Sequence, residues 1–165
     1  MSPIRPISRY LDHIGIDIHV ADLAMTNFVK RRLAPFRLAP EQNLIMMLLW
    51  RGDGVTQNEI ADSLGKDKAG IARMILSLEG KGYVRRAVPS CDRRTVQVFL
   101  TSEGQALRER VLPVLDEIKR EVTAGIDEAR LAQLRGTLSE ITANAARAAE
   151  RCPTDDSNDS NDSND

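Results

Sequence analysis

Residues 55–104 read VTQNEIADSLGKDKAGIARMILSLEGKGYVRRAVPSCDRRTVQVFLTSEG, and the fold is decided here. Thr56-Gln57-Asn58-Glu59 places a hydroxyl three residues ahead of a carboxylate, the spacing of a capping box at a helix start. Ile60, Ala61 and Leu64 then fall on one face of a short helix, and Gly65 supplies its stop. Asp67 can cap a second helix running to about Glu79, which Gly80 or Gly82 ends. Two short helices joined by a tight Gly-containing turn make a helix-turn-helix pattern. Two β-rich runs follow, 83–88 and 96–100, on either side of Pro89-Ser90-Cys91-Asp92-Arg93-Arg94, which gives a hairpin with a long basic tip.

Around this block the chain reads as helical. Residues 1–7 contain Pro3 and Pro6 and suit an extended arm. From 8 to 33 apolar residues recur without proline. Ile14, Ile16, Ile18 and Val20 alternate as in a strand, but the run is too long for an ordinary strand and predicts a helix. Residues 34–39 read as a loop, and Pro40 opens a helix to about Trp50 that is almost wholly apolar from Leu44 and is expected inside. Thr101 caps a helix over 102–123. Gly125 ends it and Asp127 caps the last one, where Leu131, Leu134, Leu138, Ile141, Ala145 and Ala148 recur in steps of three and four. That heptad-like seam is best explained by a partner helix. Residues 155–165 repeat Asp, Ser and Asn without an apolar side chain, so the segment 153–165 is expected to be a disordered acidic tail.

The composition agrees. Of 165 residues 42% are hydrophobic and only 4% aromatic, which favours a mainly α protein with a small β-hairpin wing over a sandwich or barrel. The net charge is -1, but five Asp and no cation lie in 153–165, leaving +4 on residues 1–152. Between Lys66 and Arg94 eight cations face three acids, giving +5 in one short stretch. Such asymmetry is the footprint of a phosphate-binding surface. Two cysteines, Cys91 and Cys152, are too few for a disulfide framework. Neither a signal segment nor an apolar run of about 18 residues is present, so a reducing cytoplasm, without membrane attachment, is the expected compartment.

On the second helix of the motif, 100° steps place Ile71, Met74, Ile75 and Leu78 toward the core. Lys66, Ala69, Arg73 and Leu76 lie opposite, flanked by Gly70 and Ala72. Small residues near its start allow close approach to a major groove about 12 Å wide, and Arg73 is the one long donor set to reach a base edge. Its alternative is a phosphate contact or a surface salt bridge. Thr56, Gln57, Asn58, Lys66 and Lys68 suit phosphates. Arg93 and Arg94 could enter a minor groove, with Asp92 holding an arginine in place.

The run 55–104 resembles the MarR family of transcriptional regulators. The resemblance is carried by Asp67-Lys68, by Leu78-Glu79-x-Lys81-Gly82, by Asp92-Arg93-Arg94, and by Leu100-Thr101-x-x-Gly104. Leu33-Ala34-Pro35 and Leu38-Ala39-Pro40-x-Gln42 extend it, so that it covers about 10–149. It implies a homodimer whose terminal helices, 8–37 and 102–150, interlock, with 38–101 as the winged helix-turn-helix DNA-binding domain. It implies Arg94 as the wing-tip arginine with Asp92 as its support. It also implies repression relieved by a small effector, often aromatic or anionic, bound between the dimerisation helices and the DNA-binding domain. Ala69 and Gly70 depart from the family's Ser or Thr at the helix start, and Leu76 stands where a polar residue is usual.

Other features are weaker. Cys91 lies beside cations that favour thiolate and is a candidate redox site, the alternative being a loop cysteine without that role. His13, Asp17 and Arg37 mark a candidate pocket for an anionic ligand. His13 and Asp17, with His19 and Asp22 nearby, provide too few convergent ligands for a metal. No Gly-rich phosphate loop and no nucleophile–histidine pair stands out, so no catalytic residues and no cofactor are expected. The competing readings are a winged helix used for protein interaction and a nonspecific architectural DNA binder.

Overall fold

A computed structural model describes residues 13–88 and 95–151. The first helix, α1, spans Ile14–Leu33, so the alternating isoleucines are helical. A 3-10 turn over Ala34–Phe36 replaces the expected plain loop. Arg37 closes it in the left-handed conformation (φ 54°), its N–H bonding to the Ala34 carbonyl. Helix α2 spans Pro40–Arg51, β1 Val55–Thr56, α3 Gln57–Leu64, α4 Lys68–Gly80, β2 Val84–Ala87, β3 Gln97–Leu100, α5 Ser102–Val122 and α6 Glu128–Arg151. The chain divides into two compact units, 1–122 and 123–165.

In the first unit the strands form an antiparallel sheet in the order β1-β3-β2. Val84 stands opposite Leu100 and Ala87 opposite Gln97, while Val55 pairs with Val98. The hairpin was legible in the sequence. Strand β1 was not, because two residues carry no alternation to detect. It fixes the entry to α3 through Gly54 N–H to the Val98 carbonyl (3.1 Å) and Gln57 N–H to the Val96 carbonyl (3.0 Å).

One core unites these elements. Leu33 of α1, Ile45, Met46 and Leu49 of α2, Ile60 of α3, Ile71, Ile75 and Leu78 of α4, Val98 of β3 and Val111 of α5 are wholly or almost wholly inaccessible. Each such side chain contributes about 1.5–3 kcal/mol through burial. Helix α2 is not uniformly inside as its apolar run suggested. Leu44 and Met47, three residues apart, remain exposed, and Gln42 and Asn43 are buried instead. A helix in a layered core buries a stripe and leaves the rest open, whatever its composition.

Gly104 sits where α5 meets the sheet. A Cβ there would lie 1.9 Å from the Tyr83 carbonyl oxygen, so this close approach requires glycine. The same junction is tied by Thr101 Oγ1, which donates to the Gly82 carbonyl (2.6 Å) and accepts from Gly104 N–H (3.0 Å). Trp50 Nε1 donates to the Gly104 carbonyl (2.9 Å). The Leu-Thr-x-x-Gly motif therefore has a packing explanation.

The second unit is α6 with its lead-in. Gly125 adopts φ 78° and Asp127 Oδ1 accepts from Arg130 N–H (2.9 Å), as the sequence predicted. None of the α6 side chains is buried. Leu134 is 51% and Leu138 38% exposed. The arm 1–7 and the acidic tail lie outside the described residues.

Candidate nucleic-acid interface

Local bonds set the helix-turn-helix. Thr56 Oγ1 accepts from Glu59 N–H (3.1 Å), while Glu59 Oε2 accepts from Thr56 N–H (2.8 Å) and Thr56 Oγ1 (2.7 Å). These bonds to the ionised form hold the Glu59 carboxyl below the usual carboxylate range, the Thr56 backbone N–H acting most strongly. Gly65 ends α3 at φ 59°. Asp67 Oδ1 then accepts from Gly70 N–H (2.7 Å) and caps α4. A Cβ at Gly70 would lie 2.8 Å from Asp67 Oδ2, so the glycine serves the cap as well as leaving the helix start slim.

Helix α4 buries Ile71, Ile75 and Leu78 and half-buries Met74. On the other side Ala69, Arg73 and Leu76 are exposed, with Gly70 and Ala72 half-buried beside them. Arg73 forms no hydrogen bond or ion pair among the described residues, and the same holds for Lys68 and the Asn58 side chain. Arg73 and Gly70 border a shallow cleft of about 370 Å³, which Glu41, Lys66, Asp67 and Ser77 help to line. Arg93, Arg94, Asp92 and Cys91 lie outside the described residues.

Several cations of the basic stretch are already engaged. Lys66 Nζ pairs with Glu41 Oε1 at 2.7 Å. Arg86 Nε donates to Glu79 Oε2 (2.9 Å). Arg85 stacks over the Phe99 ring with its guanidinium 4.5 Å from the centroid. Lys81 Nζ donates to the Arg37 carbonyl (2.7 Å) and to Gln42 Oε1 (2.6 Å). Burial, and after it the nearby Arg37, pushes the Lys81 pKa down from its ordinary value. Gln42 also accepts from Ala39 N–H (3.2 Å) and donates to Ser77 Oγ (3.0 Å), linking α2 to α4. Counting charges along the sequence missed these pairings, because the partners Glu41 and Gln42 come from an earlier helix. Thr56 is likewise occupied as a cap, and Gln57 is half-buried.

A larger cleft of about 630 Å³ opens between α1, α2 and α5. Its walls include Met25, Val29, Leu44 and Leu115, with Asp22, Thr26, Glu41, Asn43 and Lys66 as its polar members. His13 stands at the N-cap of α1, Asp17 in its first turn and Arg37 after the 3-10 turn. None of these three lines either cleft. Among the described residues no group of His, Cys, Asp or Glu suits a metal ion, and no helix is long and apolar enough to cross a membrane.

A capped two-helix motif, a three-stranded sheet and an outward helix face define a winged helix-turn-helix protein. Residues 38–96 match the model of the MarR family. Over that segment the chain is similar to the family. It is 31% identical over 94 residues to the HTH-type transcriptional regulator TtmR of Methylorubrum extorquens, covering 57% of this chain and 48% of the relative. It thus spans about half of that relative's length. A MarR transcriptional regulator from Methanosarcina mazei superposes with a TM-score of 0.72 at 27% identity, covering 82% of this chain and 97% of that one. The transcriptional repressor CouR, bound to a 23-mer DNA duplex, gives a TM-score of 0.75 at 25% identity, over 86% and 99% of the two chains. CouR from Rhodococcus jostii bound to p-coumaroyl-CoA gives 0.70 at 26% identity, over 79% and 91%.

Proposed function

We propose that this chain is a sequence-specific, duplex-DNA-binding transcriptional regulator, a homodimeric repressor under small-molecule control. The observation that carries the reading is the α4 face of Ala69, Arg73 and Leu76. It is exposed, slim at its capped start and armed with an arginine that has no partner among the described residues. The DNA complex of CouR supports it by similarity of fold and sequence. In this reading 38–101 is the DNA-binding domain, Arg73 meets a base edge, and Lys68, Asn58 and Gln57 meet phosphates. Arg93 and Arg94 serve the wing with Asp92 as support. Residues 8–37 and 102–150 make the dimer through Leu131, Leu134, Leu138, Ile141 and Ala145. The effector complex of CouR supports ligand control in the same way, with release as the expected response to an anion.

A dimer sets two recognition helices in successive major grooves, so the operator is pseudo-palindromic with half-site centres roughly 10–10.5 bp or a multiple apart. Selection of genomic fragments by the purified protein at physiological salt tests this, and recovery of random sequence would refute specificity. Arg73→Ala relaxes preference at one base position at a cost of about 1–3 kcal/mol. Arg94→Ala weakens all sequences alike and flattens the salt dependence. Equal losses on every sequence for both variants would overturn this division of roles.

A further inference from the structure

The outward face of α4 carries little polarity for a surface that meets base edges. In steps of about 100° per residue, the positions turned furthest from the buried Ile71, Ile75 and Leu78 are Ala69, Ala72, Arg73, Leu76 and Gly80. Among them only Arg73 has a polar side chain. Leu76 is 48% exposed, and it follows Arg73 by one turn. Ala69 and Ala72 precede it at helical spacing, so the three form an apolar ridge beside the arginine. A lone exposed leucine is ordinary on a protein surface. This one stands on the helix whose Asp67-capped, slim start and unpaired Arg73 suit entry into a major groove. The floor of that groove offers donors and acceptors at every base pair and a single apolar group, the C5-methyl of thymine. An apolar side chain pressed on a donor or acceptor strips it of water without replacing the lost bond. Against the thymine methyl the same side chain gains by burial.

We propose that Leu76 is a specificity-determining residue that reads the 5-methyl group of a thymine beside the base pair contacted by Arg73. The inference rests on the DNA-binding reading given above and names what this face selects. Three residues of helix advance about 4.5 Å, so the thymine lies about one or two base steps from the Arg73 position. Of the outward side chains only Arg73 and Leu76 extend beyond Cβ, so these two reach the groove floor while Ala69, Ala72 and Gly80 permit the approach. Arg73 selects by hydrogen bonds and Leu76 by a methyl contact. The half-site core therefore carries a thymine close to the base read by the arginine. The methyl contact involves no charge, so it contributes to sequence preference and leaves the salt dependence alone.

The test uses the full-length protein and an operator duplex recovered by selection from genomic fragments. Each thymine of one half-site is replaced in turn by deoxyuridine, which keeps every hydrogen-bonding group and lacks only the methyl. One replacement should weaken binding roughly four-fold, the scale of one methyl group removed from an apolar contact. That position should lie within about two base steps of the one whose preference Arg73→Ala relaxes. Leu76→Ala should bind the thymine and deoxyuridine duplexes equally, with the slope of log K against log salt unchanged. Because the decisive change is made in the DNA, the native protein alone can refute the assignment, whatever the variant does to folding. Equal binding of thymine and deoxyuridine duplexes at every position overturns it. So does a loss that persists undiminished in Leu76→Ala, or a selected half-site with no thymine near the Arg73 position. Each of those results leaves a sequence-specific regulator in place. Recovery of random sequence alone would refute the regulator reading itself, and this inference with it.

Discussion

Gly104 shows how much one residue can decide. Its missing side chain lets α5 start against the Tyr83 carbonyl, and the bonds of Thr101 and Trp50 depend on that approach. Gly104→Ala therefore destabilises the protein by about 3 kcal/mol or more, since backbone must move to admit the methyl group. Urea unfolding followed by circular dichroism would show it as a fall in midpoint, and an unchanged midpoint would refute it. The sequence displayed this glycine only as part of a motif. Arg73 was legible because helical geometry alone turns it away from Ile71, Ile75 and Leu78. Lys66, Lys81 and Arg86 were not legible as engaged groups. The Lys66 and Lys81 partners stand 25 and 39 residues away, and their approach is a product of the fold.

Elements whose ends are set by neighbours in sequence were read correctly. The Thr56–Glu59 box, the Asp67 cap and the Gly65 stop need only residues within one turn, so spacing identifies them. Strand β1 and the 3-10 turn depend on what packs against them and escaped notice. The box also carries a pH response. Glu59 is held below the usual carboxylate range in the folded protein by its bonds to Thr56. Its contribution is full above the value of the unfolded chain. It is lost as pH falls through the depressed folded value, from roughly pH 5 downward. Amide exchange in the first turn of α3 should accelerate on that descent, and Glu59→Gln should remove the change. An α3 start equally protected across the acid range in both proteins would count against the assignment.

At the scale of the whole molecule the heptad-like spacing of α6 was plain in the sequence, and none of the helix's side chains is buried. Leu134 and Leu138 are large apolar side chains left open to water, an arrangement that a second copy would relieve. Replacing both by aspartate should raise the dissociation constant of the proposed dimer about a hundredfold or more, from the lost burial of two leucines. Light scattering across a dilution series would measure it, and operator affinity should fall in parallel. A variant that stays dimeric would move the interface elsewhere. The cleft between α1, α2 and α5 had little trace in the sequence. Asp22, Asn43 and Leu115 come from three helices, and no local spacing announces that they meet.

Trp50 is the only tryptophan in the chain. It is half-buried on α2, and its indole nitrogen is bound to a carbonyl in the first turn of α5. An indole in such a setting emits at a wavelength that depends on its hydration and hydrogen bonding. The protein therefore carries a built-in optical probe at the joint between the helix that lines the cleft and the helix that leaves the wing. Excited selectively, without labelling or mutation, that single fluorophore can follow in real time any loosening of this joint as ligands or DNA are mixed in.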